Sequence, residues 1–171
     1  MTAEEFIKKW RHLINYLGFP SVGIHVGWDI IPVDSKVESF SGKEAWEKIY
    51  NCTPPWFETP KTFRQLIDGN GTNYRSEILK EIINGKIQRF AIQGLEDPIF
   101  CAFANQDGSF ILLGDGNHRF LDCSFLMNLG KDFSNDIGKT ELDIIYLEKF
   151  EEVLKPEEKI WGRSYNKNET F

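Results

Sequence analysis

A chain of 171 residues, 41% hydrophobic and 27% charged, has the length and composition of one folded domain with a real core. Fourteen Phe and five Trp exclude extended disorder, and a net charge of −6 without a long basic block excludes a general duplex-binding surface. Nowhere do about 18 apolar residues run together, so no helical membrane span is expected.

The cysteines, Cys52, Cys101 and Cys123, are odd in number and far apart, without CxxC or Cys/His metal spacing. They read as small buried apolar residues in a reducing compartment. Glu4, Glu5, Lys8 and Lys9 occupy the stretch where a leader would be apolar, so the expected location is the cytoplasm.

From the start of the chain, residues 2–17 carry a helical stripe of Phe6, Trp10, Leu13, Ile14 and Leu17, opened by a Thr2/Glu5 capping box. Gly18 and Pro20 end it. A strand is expected over Trp28 to Val33, after a turn or edge strand, and then a helix over residues 41–50 capped by Ser41. Residues 52–61 form a Pro-rich loop around Trp56 and Phe57, and residues 62–67 one or two helical turns. The segment 68–73, rich in Gly and Asn, precedes an expected helix over 74–84 and a strand over 86–92. A hairpin follows, with strands over 98–104 and 110–113 around an Asp107-Gly108 turn. Residues 120–129 read as a helix, 142–147 as a late strand and 149–171 as a short helix with a polar end. The sum is an α+β fold, a single compact domain with a small mixed sheet flanked by helices.

The chemistry concentrates in Gly114-Asp115-Gly116-Asn117-His118-Arg119, between the second hairpin strand and the helix opened by Phe120. A helix start offers backbone N–H groups without internal partners and about half a positive charge, which suits an anion. Gly114 and Gly116 allow close backbone approach, or serve simply as a tight turn. Arg119 has the planar fork for a phosphate or carboxylate, or else pairs with Asp115 or Asp122. His118 can donate to a phosphate oxygen or move a proton near neutral pH, or else bond the backbone. Asp115 is the metal candidate, for Mg²⁺ in a water-rich shell, or an Asx turn residue. Asn117 reads as the helix N-cap, with its amide near any ligand. Residues 68–75, ending in Arg75, form a second Gly/Asn-rich segment that reads as a surface loop or a further anion nest.

With these residues and this order of elements, positions 28–148 resemble the ParB/sulfiredoxin-like superfamily. Its fold runs early strand, helix, hairpin, a G-x-x-R-type turn capping the next helix, and a closing strand. Sulfiredoxins carry a reactive cysteine directly before the His-Arg pair, and the chromosome-partitioning ParB proteins carry a Gly-Glu-Arg-Arg turn whose Glu serves CTP hydrolysis. Asn117 stands at both positions here, and His118 replaces the first Arg. The nearest wording is the Asp-Gly-His-His-Arg turn of ParB-like kinases of small molecules. In this frame residues 1–20 are an N-terminal helix and 149–171 a C-terminal extension.

The resemblance implies a nucleotide or phosphorylated small molecule held by Gly114, Gly116, Asn117, His118 and Arg119. Asp115 and His118 would be catalytic, Mg²⁺ the cofactor, and phosphotransfer or nucleotide hydrolysis the reaction. One alternative is a non-catalytic module that keeps the fold and binds a protein partner; another is a small ParB-like nuclease, against which the acidic charge weighs.

Overall fold

The computed structural model describes residues 1–14, 17, 24–54, 62–65, 99–116, 120 and 137–156. Helix α1, Ala3–Trp10, starts at the expected capping box: the Thr2 hydroxyl accepts from the Glu5 N–H at 3.2 Å and the Glu5 carboxylate from the Thr2 N–H at 2.7 Å. It is shorter than its apolar stripe suggested. The N–H groups of Leu13 and Ile14 both turn back to the Trp10 carbonyl, which breaks the helical phase. Ile14 and Leu17 stay buried, but Leu13 is left 53% exposed, off the face assigned to it.

The strand expected over Trp28 to Val33 is absent. Those residues open with a 3-10 turn, Trp28–Ile30, closed by bonds from Ile30 to Gly27 and from Ile31 to Trp28, and the Ser35 N–H then reaches the Pro32 carbonyl. Gly27, Asp29 and Pro32 favour turns, and Pro32 has no N–H for a ladder. The strands lie on either side: β1, Ile24–Val26, and β2, Val37–Ser41. Helix α2, Gly42–Tyr50, follows at once, but the Ser41 hydroxyl makes no capping bond. Ser41 still belongs to the sheet, paired with Glu141. A helical turn, α3, covers Phe63–Gln65.

The hairpin is β3, Ile99–Asn105, and β4, Ile111–Asp115. Its loop closes through the Gly108 N–H on the Asn105 carbonyl and an Asp107 carboxylate accepting from the Ser109 N–H at 2.9 Å. Strand β5 spans Glu141–Leu147, helix α4 Phe150–Val153 and strand β6 Leu154–Pro156.

The main sheet has the order β2-β5-β3-β4. Its central pair, β3 and β5, is parallel, while β2 and β4 flank it antiparallel. A small sheet pairs β1 with β6. Alternation along β3 feeds two cores: Phe100, Ala102 and Ala104 enter one with Trp46, Ile49 and Phe63, while Cys101 and Phe103 enter the other with Phe6, Trp10 and Trp28. Burial of both faces explains why β3 reads as a continuous apolar run. Val153 and Val26 belong to the second core, so α1, the small sheet and α4 pack on the same sheet as α2, from the other side. The fold is α+β with mixed sheets.

Candidate functional site

The site begins where β4 ends. Along the hairpin, Ala104 faces Ile111, Phe103 faces Leu112 and Ala102 faces Leu113, but Cys101 then faces Asp115. Gly114 is therefore an extra residue, a β-bulge in the last turn of pleat before the loop. Bulges re-aim side chains at strand ends, and this one brings Asp115 level with Cys101. The space allows only glycine here: a Cβ on Gly114 would lie 2.7 Å from Phe103 Cε2 and 3.0 Å from Leu17 Cδ2.

Gly116 follows at φ +91°, a region that side-chain-bearing residues avoid. A Cβ there would also enter the Phe100 ring. Four residues on, the Phe120 N–H donates to the Gly116 carbonyl at 2.9 Å, the i to i−4 spacing of a helical bond. Phe120 is fully buried, with ring centroids 4.9 Å from Trp46, 5.0 Å from Tyr50 and 4.9 Å from Phe63. Both ends of the turn are thus pinned: Gly116 against Phe100, and Phe120 in the aromatic core.

The outer edge of β4 is partly covered. Thr53 runs parallel beside it, donating to the Ile111 carbonyl at 2.8 Å and accepting from the Leu113 N–H at 3.3 Å. That pairing reaches Leu113 and stops short of Asp115.

A polar row crosses the sheet at the level of Asp115. Register aligns Ser39 with Asp143, Asp143 with Cys101, and Cys101 with Asp115. Asp143 is buried and well supplied with donors. Its Oδ2 accepts from Lys9 Nζ at 2.7 Å and from the Trp10 indole at 3.1 Å, and its Oδ1 from the Ser39 hydroxyl at 2.7 Å. A buried carboxylate is tolerated when it is paired and hydrogen-bonded in this way. With its oxygens engaged, Asp143 pins α1 to the sheet and is not poised as a base or metal ligand.

Burial pushes the Cys101 thiol well above its ordinary range, and the neighbouring charges of Asp115 and Asp143 push it further, with Lys9 opposing. Burial likewise raises the Cys52 thiol, against a smaller opposing effect of Lys48. Both remain protonated at neutral pH, so neither is a nucleophile. As expected from the sequence, Cys52 and Cys101 are buried and free.

Of the residues singled out in the sequence, the structure places Gly114, Asp115 and Gly116 together at the end of β4, with Asp115 half-buried. Asn117, His118 and Arg119 lie outside the described residues, as do residues 55–61, 68–75, the helix expected over 74–84, the strand over 86–92, all but Phe120 of the helix expected over 120–129, and the chain beyond 156. Among the described residues, no group of three or more His, Cys, Asp or Glu side chains could hold a metal ion, and no helix is long and apolar enough to cross a membrane. Magnesium commonly takes one or two carboxylates and completes its shell with water and phosphate oxygens. At the end of β4, Asp115 offers a single carboxylate. The Asp143 network escaped the sequence reading, although its signal was present: one acid inside the apolar run Leu142 to Leu147, beside a lysine at the edge of an apolar helix face.

Comparison with known proteins adds no relative: no family model, curated protein or solved structure matches the chain.

Proposed function

We propose that the chain binds a nucleotide, or a smaller phosphate-bearing ligand, at the turn formed by residues 114–119. The observation that carries this reading is the two-ended anchoring of the turn, at Gly116 against Phe100 and at Phe120 in the aromatic core. Backbone N–H groups held in place before a ligand arrives bind an anion at little ordering cost, and the fixed positions of Gly116 and Phe120 favour such a site between them. In this reading Gly114 and Gly116 bring the backbone close to the phosphate, Asn117 caps the helix, and Arg119 and His118 neutralise charge. Asp115 would repel a bare phosphate; it is the carboxylate that would help hold Mg²⁺, and the ion would supply the charge neutralisation that phosphate binding beside an acid needs. Hairpin, glycines and β5 follow one another in the order that the ParB/sulfiredoxin-like resemblance expects, whereas its early strand at Trp28 to Val33 is a turn here and its helix over 75–84 lies outside the described residues.

Calorimetry with ATP, CTP and inorganic phosphate, each with and without Mg²⁺, tests the proposal. Arg119→Ala should weaken binding of the ligand that the intact chain takes up. Unchanged affinity in that variant would remove Arg119 from the site, and absence of binding to every probe would overturn the reading.

A second reading, binding without turnover, is favoured by the state of the groups around Asp115. Asp143 is committed to Lys9, Trp10 and Ser39, and Cys101 is a buried, protonated thiol. Among the described residues at this end of the sheet, Asp115 is then the catalytic candidate that is left, with His118 beside it in the sequence. Product release from a nucleotide panel separates an enzyme from a non-catalytic module, whose ligand would include a protein partner.

A further inference from the structure

We draw no further inference here: the strongest candidate, the indole N–H of Trp46 in the aromatic cluster between α2 and the sheet, buried and without a hydrogen-bond partner among the described residues, is closed in among the rings of Tyr50, Phe100 and Phe120, and nothing in the structure shows an acceptor that could reach it.

Discussion

The Lys9 ammonium lies 2.7 Å from the Asp143 carboxylate, so helix α1 and strand β5 are joined by an ion pair across 134 residues of sequence. Asp143 is buried and Lys9 is about one-third exposed, so the two partners are not equivalent. Removing Lys9 leaves a carboxylate still held by Trp10 and Ser39, whereas removing Asp143 strands an ammonium, an indole N–H and a hydroxyl together.

Asp143→Ala should therefore destabilise by about 3 kcal/mol, near the lower end for breaking a buried pair because Lys9 can turn to solvent. Lys9→Met should lose only about 1 kcal/mol. Urea unfolding of both variants and of the double variant gives the coupling. A Lys9→Met loss equal to that of Asp143→Ala would contradict the account of Trp10 and Ser39 as sufficient partners.

Gly116 and Gly108 both have positive φ but should resist substitution to different degrees. Gly116→Ala combines a left-handed backbone with a clash against Phe100, for a loss of about 3 kcal/mol. Gly108→Ala is the control: its φ is +74° but open space surrounds it, so only the backbone strain of about 1 kcal/mol applies. Equal losses in the two variants would show that Phe100 does not constrain the turn.

Buried thiols make stability fall in alkali. The folded pKa values of Cys52 and Cys101 are raised, so below the unfolded thiol value of about 8.5 both states are protonated and stability is at its full level. Above it the unfolded chain loses protons that the folded chain keeps, and each thiol lowers stability by up to about 1.4 kcal/mol per pH unit. Urea midpoints between pH 7 and 10 should decline less steeply in Cys52→Ala and in Cys101→Ala. In a Cys123→Ser background, Ellman's reagent should react with no thiol until the protein unfolds.

Asp115→Asn should separate metal-bridged from direct phosphate binding. With the charge removed, affinity for the Mg²⁺-nucleotide should fall about tenfold, or roughly 1.4 kcal/mol. Affinity for inorganic phosphate without metal should rise, since a repulsive carboxylate is gone. Loss of both would assign Asp115 to the turn's geometry instead.

Local chemistry was the legible part of this fold. The Thr2/Glu5 capping box, the Asp107-Gly108 loop and the helix before Tyr50 follow from neighbours a few residues apart. The glycine pair around Asp115 announces a tight turn, but Gly114 and Asp115 continue β4, with Gly114 as a bulge, because the ladder to β3 runs on to the Cys101–Asp115 pair. The stretch from Trp28 was misleading since its β-branched and aromatic residues favour a strand, while Gly27, Asp29 and Pro32 made turn bonds that prevailed. Strands β1 and β6 have three residues each, too short for alternation to register. The polar row was out of reach for another reason. Its members sit at positions 39, 101, 115 and 143, and only strand register brings them level.

Strand β5 lies between β2 and β3 in the sheet, yet it is made after both. A nascent chain therefore leaves the ribosome with β2, one edge of β3 and an apolar helix face waiting for residues 141–147. Among the described strands, β3 can by then have zipped with β4 on one side, while the edge that β5 will take is open to foreign strands. Chaperone dependence during synthesis should accordingly be greatest just before position 141 clears the exit tunnel and fall sharply afterwards.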